Sequence, residues 1–191
     1  MAAFTNNAEE NVSAGKGVLG GYCYRAEVGT ALPTSPSWTP TSDWTCMGFI
    51  TEDGVSFATE TETNDFNDMN GTLMDSSQSS YSETFACSFA ETKAATFQSI
   101  YGNDAVTDSA GVLTVNHTGA EPGSYSYAFL LVLKNGRKWV RFAEKCKRTE
   151  MDDATVAASD VLAWNATFKA LYSQTTGGYF KDLFESTETS S

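Results

Sequence analysis

The stretch Tyr125-Ser126-Tyr127-Ala128-Phe129-Leu130-Leu131-Val132-Leu133-Lys134-Asn135-Gly136-Arg137-Lys138-Trp139-Val140-Arg141-Phe142 decides the fold class. Ser124–Leu133 is apolar on both faces, the pattern of a strand buried on both sides. Lys138–Lys147 alternates, with Val140 and Phe142 on one face and Trp139 and Arg141 on the other. Asn135-Gly136 between them is a hairpin signal, because the pair accepts the positive φ angles of a type I′ turn.

Working outward, Tyr81–Phe89 alternates as a half-buried strand should, with Tyr81, Phe85, Cys87 and Phe89 on one face. It leads into the one helical segment, about Thr92–Tyr101, where Phe97, Ile100 and Tyr101 share a face and Gly102 supplies the stop. Further strands are expected over Val18–Leu32, over Trp44–Thr63, broken or turned at Glu52-Asp53-Gly54, and over Gly111–Thr118 and Val161–Tyr172. Thr34–Ser42 contains Pro36 and Pro40 and is irregular, and Asn64–Ser80 is polar, centres on Asn70-Gly71 and reads as a long loop. The result is a mainly β chain of about six to eight strands, a β-sandwich or closed sheet with one short flanking α-helix. Residues 1–17 form a flexible N-terminal arm, 18–173 the domain, and 174–191 a C-terminal arm that carries an apolar stripe of Tyr179, Phe180, Leu183 and Phe184.

Composition limits the function classes. The 191 residues amount to one domain, with a radius of gyration of roughly 16 Å, and at 41% hydrophobic and 19% charged the chain is globular. Serine (20), threonine (24) and 13% aromatic residues favour strands. The longest apolar run, Ala128–Leu133, is far short of a membrane-spanning helix, so no membrane insertion is expected, and no signal peptide is evident. Cys23, Cys46, Cys87 and Cys146 are too widely spaced for a disulfide framework or a zinc site and read as reduced core thiols. No metal or cofactor is expected.

Net charge is −12, which disfavours binding of nucleic acid through phosphate contacts. From Ala26 to Thr92 there are eleven acids and no Lys or Arg, whereas Lys134–Arg148 holds seven bases and one acid. Two arrangements fit: the basic stretch faces acidic strands of its own chain, or it faces the acidic segment of a neighbouring copy in a head-to-tail contact that closes a ring.

The segment Val28-Gly29-Thr30-Ala31-Leu32-Pro33-Thr34, a Pro-rich spacer and then Trp44-Thr45-Cys46-Met47-Gly48-Phe49-Ile50-Thr51-Glu52-Asp53-Gly54-Val55 resemble the opening of siphophage major tail proteins, the tail-tube subunits of long non-contractile phage tails. The order that follows is similar too, and the resemblance runs from about Val18 to Tyr172. It implies a structural virion protein, made in the host bacterial cytoplasm, whose subunits form hexameric rings stacked into a tube. The tube would be lined by a continuous β-barrel and would conduct phage DNA without binding it specifically. Expected partners are other copies of the chain, the tape measure protein, the tail terminator and the distal tail or baseplate proteins. The alternative is a β-sandwich carbohydrate-binding or host-attachment module of a virion, which calls for an aromatic platform.

On this reading Glu60 and Glu62, on one strand face, are candidates for lumen-facing acids, and Asp65 and Asp68 for inter-ring contacts. Arg137, Arg141 and Lys145 share one period-2 face and are candidates for intersubunit pairing, against the simpler role of guarding a sheet edge. No catalytic residues are assigned. His117 is the only histidine and sits in a loop sequence, and the adjacent carboxylates Glu52-Asp53 and Asp152-Asp153 point apart on a strand. A calcium loop around Asn64–Asn70 fails, since Phe66 and Ser77 would fall at ligand positions.

Overall fold

The computed structural model describes residues 12–186. In chain order the elements are β1 (Gly15–Gly17), β2 (Cys23–Glu27), β3 (Thr45–Cys46), β4 (Ile50–Asn67), β5 (Leu73–Phe89), α1 (Ala94–Tyr101), β6 (Val106–Ser109), β7 (Val112–Val115), β8 (Tyr125–Leu133), β9 (Lys138–Met151), β10 (Trp164–Ala170) and β11 (Lys181–Phe184). The mainly β class with one short helix is as expected. The hairpin at Asn135-Gly136 is also present, but only Gly136 has a positive φ (79°). The Gly136 N–H bonds to the Leu133 carbonyl (2.9 Å) and the Leu133 N–H to that of Arg137 (2.8 Å). This is a three-residue loop ending in a left-handed glycine, and not the two-residue type I′ turn.

Nine strands form one sheet in the order β3-β2-β8-β9-β10-β5-β4, with β1 also on β8 and β11 also on β9. The sheet closes over itself around β9. This strand pairs with β8 along Lys138–Cys146, and on its other edge with β11 along Trp139–Phe142 and with β10 along Cys146–Met151. Register shifts on both sides of β9 bend it, as bulges do, so that its two halves belong to different layers. As a result β5 lies over β8, although β9 and β10 separate them in the sheet. Phe85 sits 5.0 Å from both Tyr127 and Phe129, and Phe57 sits 5.1 Å from Phe129.

The two layers differ on their outer faces. Irregular residues 28–44 cover the outside of β2-β8-β9, where Trp44, Leu32 and Trp38 pack with Ala26, Ala128, Val140 and Phe142. That cover is why β8 reads as apolar on both faces. At one side of the sandwich α1 inserts Phe97 and Ile100, Ser99 accepts the Tyr127 hydroxyl (3.1 Å), and Gly102 (φ 94°) ends the helix. Cys23, Cys87 and Cys146 are buried, and burial pushes their thiols up, so they remain protonated space-fillers.

Three expectations are corrected. Residues 64–80 do not form a loop: β4 and β5 continue through them to a tight turn. A strand exposed on both faces has no apolar alternation to betray it. Glu52-Asp53-Gly54 is not a chain reversal but a bulge inside β4, between the pairs Ile50–Phe89 and Val55–Cys87, with Gly54 at φ 75°. Finally, the C-terminal residues are not a free arm through Phe184, because β11 pairs with β9, and Tyr179 and Phe180 pack against the core. Of the expected N-terminal arm, residues 1–11 lie outside the described residues, whereas β1 pairs with Leu131–Leu133.

Phe85 is fully buried and stacks on Phe168 at 4.7 Å. Replacing it with alanine should cost about 3–5 kcal/mol, measured by denaturant unfolding. Exposed Thr61→Ala should leave the midpoint within about 0.5 kcal/mol of the parent.

Candidate functional site

Among the described residues no segment covers the outer layer formed by β4, β5 and β10, and its outer face follows from the register. Phe57, Phe85 and Phe168 point into the core, so Ala58, Thr84, Lys169 and Lys147 form a row across β4, β5, β10 and β9. Ser56, Ala86 and Thr167 make the next row, and Ser88 and Asn165 pair beside it. The face is therefore flat and built from small polar side chains. At the β9–β10 end two lysines stand directly opposite one another, and Lys147 bonds Glu121 at 2.6 Å.

Beyond Thr59 and Tyr81 the β4–β5 hairpin leaves the body. Glu60–Asn67 and Leu73–Ser80 are exposed on both faces, and the pairing runs on to Asn67–Leu73. Eight residues per strand give a ribbon about 25 Å long. An isolated two-stranded ribbon is marginally stable in water. β4 is the last strand in the sheet order, so its outer edge has no strand partner among the described residues.

Each candidate now has a place. Glu60 and Glu62 do share a face, opposite Ser82 and Ser80, and Glu62 accepts the Ser80 hydroxyl (3.0 Å). That face continues the small-residue face of the body, and so lies opposite the core. Asp65 lies on the other face of the ribbon and accepts the Ser76 hydroxyl (2.6 Å). Asp68 organises the turn: its Oδ1 accepts the N–H groups of Asn70 (2.8 Å) and Thr72 (2.7 Å). The Gly71 N–H bonds the Asp68 carbonyl and the Asp68 N–H bonds that of Thr72, with Gly71 at φ 81°. This is the same three-residue loop as at Asn135-Gly136. The amides of Thr72 and Asn70 hold the Asp68 carboxyl below its ordinary range.

The three basic candidates do not act as one group. Arg141 is engaged within the chain: its Nε and Nη2 donate to the two Asp182 oxygens at 2.8 and 2.7 Å, and its guanidinium lies 4.5 Å over the Phe57 ring. Trp139 donates to the same carboxylate (2.6 Å) and stacks on Phe184, so this cluster fastens β11 to β9. Arg137 donates to the Glu185 carbonyl (3.1 Å). Lys145 does not share the Arg141 face. Tyr127 pairs with Ala143 but Tyr125 with Cys146, so the bulge puts Cys146, and not Lys145, in phase with Arg141. Glu144, on the same face as Phe142, accepts the Ser173 hydroxyl at the start of the segment leading to β11. Among the described residues the acidic partners of the basic stretch are Glu121 and Asp182, neither from residues 26–92.

Sequence reading missed the Lys147–Lys169 pair, which only strand register brings together. It also missed the apolar tip of the ribbon, where Phe66, Met69, Leu73 and Met74 are 51–103% exposed. Their density around Asn70-Gly71 was the available signal. No aromatic platform forms: Trp38 packs on Trp44, Trp139 on Phe184 and Trp164 on Phe97. His117 packs edge-on against Tyr101.

No curated protein matches the chain. A family model described as a phage tail tube protein matches residues 4–185, nearly the whole length.

The Asp68 carboxyl has a depressed pKa in the folded chain, so the stabilisation it lends the turn is present above the unfolded value of about 3.9 and is lost as pH falls through the folded one. Hydrogen exchange at the Asn70 and Thr72 amides should therefore lose protection on acidification through that window. Asp68→Ala should abolish both the protection and its pH dependence while the body of the sheet is unchanged.

Proposed function

The chain belongs to the phage tail tube protein family, and from that membership we propose that its copies assemble into stacked hexameric rings whose bore conducts phage DNA. The family is a structural one, and its place is the virion tail. The observation that carries the reading is the ribbon of residues 60–80, exposed on both faces and open at its edges among the described residues. A ribbon that a single subunit does not stabilise is matched to a neighbour that covers it. The unpaired edge of β4 can extend the sheet into the next copy, as a continuous barrel wall requires.

The small-residue face of β4-β5-β10 is the lining in this arrangement. Serine, threonine and alanine offer neither stacking platforms nor bulky projections, and Glu60 and Glu62 repel a polyanion, so DNA slides past the wall. The two ends of the face carry opposite charge, with Glu60 and Glu62 on the ribbon and Lys147 and Lys169 at the corner. Placed side by side around a ring, the ribbon of one copy meets the lysine corner of the next, with Lys145 beside it. That contact is heterologous and closes on itself. Asp65 and Asp68 lie toward the ribbon end, where the next ring stacks. The bore holds the tape measure protein before DNA, and the exposed end rings meet the terminator and the distal tail proteins.

Negative-stain electron microscopy of the purified chain at rising concentration should show hollow tubes or six-fold rings. The double reversal Lys147→Glu/Lys169→Glu should stay folded and raise the concentration needed for tubes by about tenfold, since each exposed pair is worth about 0.2–1 kcal/mol and reversal adds repulsion. Adding Glu60→Lys/Glu62→Lys should restore assembly. Unimpaired tubes from the lysine reversal would remove this pairing, and a monomer at every concentration would count against self-assembly of the isolated chain.

A further inference from the structure

A groove of about 700 Å³ lies between the Gly15–Tyr22 segment and the start of β4, floored by Tyr22, Val55, Leu131 and Trp139. Its two walls are tied together. The Tyr22 hydroxyl accepts the Ile50 N–H (2.5 Å), and the Glu91 carboxylate accepts the Phe49 N–H (2.8 Å). The Tyr22 ring lies directly against Gly17, where a Cβ would fall 2.6 Å from it. The groove is therefore preformed in the single subunit. Apolar surface of this kind, with polar residues such as Lys16, Glu52 and Asp53 among its lining, marks a contact with another polypeptide segment.

We propose that residues 1–11 of the same chain fill this groove, with the Phe4 ring as the anchor. They lie outside the described residues, which begin at Val12, three positions before Gly15 on the groove wall. The chain meets the groove beside its floor: Gly15 pairs with Leu133, and a Cβ on Gly15 would meet the Trp139 ring at 3.9 Å. Phe4 precedes Gly15 by eleven residues, a reach of up to about 36 Å. The wall from Gly15 to Tyr22 is only seven residue steps long, so the ring can come to any part of it. The segment has the composition of an anchor on a tether. Met1-Ala2-Ala3-Phe4 is apolar, and Thr5–Asn11 contains no apolar residue but Ala8.

Covalent connection decides which copy supplies the segment. A short tether holds its free end at a millimolar effective concentration, so in dilute solution the chain's own residues occupy the groove first. Charge adds little. The segment carries Glu9 and Glu10, and the groove holds Lys16 and Lys93 against Glu52, Asp53 and Glu91, with Glu91 already committed to Lys93 (2.8 Å). Docking is thus held by apolar burial, and one phenylalanine shifts such an equilibrium by about tenfold or more. The contact is made within one subunit and does not depend on assembly. It keeps Val55, Leu131 and Trp139 out of water in the free chain.

Cys46 reports on the groove, because it lines the groove and is half-buried, whereas Cys23, Cys87 and Cys146 are buried. The test is alkylation of the full chain by iodoacetamide in dilute solution, followed site by site with mass spectrometry. Cys46 should react slowly in the parent, and deleting residues 1–11 or changing Phe4→Ser should accelerate it about tenfold. Thr5→Ala should leave the parent rate. An apolar fluorescent dye should bind both accelerated variants and leave the parent dark. Equal Cys46 rates and equal dye binding in parent and deletion overturn the docking. Acceleration by the deletion but not by Phe4→Ser overturns the anchor. Protection of Cys46 that disappears on further dilution gives the groove to another copy of the chain, which also overturns the proposal.

Discussion

The ring stack of Phe85 on Phe168, with Tyr127 and Phe129 closing over it, is the constraint on which the rest of the molecule depends. Phe85 and Phe168 are neighbours in the sheet, whereas Tyr127 and Phe129 reach them from the opposite layer. These contacts turn a continuous sheet into a closed sandwich, and they clamp β5 at the point where it leaves the body. The direction of the ribbon is therefore set by core packing. Burying four large aromatic rings in mutual contact yields several kcal/mol beyond a polar surface's reach.

The bends in β9 are the second requirement. Without the slip at Glu144-Lys145, one strand could not pair with β8 along its first half and with β10 along its second while the layers face each other. Just before the slip, Glu144 accepts the Ser173 hydroxyl and so ties down the chain on its return to β11. Arg141 then binds Asp182 in a half-buried, bidentate geometry, which makes it a fastener of the C-terminal strand and removes it from the exposed charge. What is left outside is the flat small-residue face and the acidic ribbon.

An assembly subunit has to stay folded alone and still keep surface in reserve. This chain does so by covering one layer completely and leaving the other bare. Residues 28–44 seal the outside of β2-β8-β9, and among the described residues nothing seals β4-β5-β10. Glu62 and Asp65 accept serine hydroxyls and Asp68 accepts turn amides, which orders the ribbon locally without burying it. Opposite charges stand at the two ends of one face, and apolar side chains are exposed at the ribbon tip.

Elements with one buried face, or with two, were legible in the amino-acid sequence, because burial writes itself as period two, as a continuous apolar run, or as Phe97, Ile100 and Tyr101 on a helix. The mainly β class and the flanking helix follow from that pattern, whereas turn chemistry marks the Asn135-Gly136 hairpin. The second Asn-Gly hairpin, at residues 70–71, has the same turn as the first but was read as a loop, because neither face of its strands is buried within the subunit and so no alternation marks them. Strict alternation also put Lys145 with Arg141, since a one-residue bulge leaves no trace in composition. The sequence by itself thus determined which segments bury side chains and where charge accumulates along the chain. Only the tertiary structure decided which strands are neighbours, where phase is lost, that Lys147 faces Lys169, and that Asp182 claims Arg141, because those depend on pairings between residues tens of positions apart.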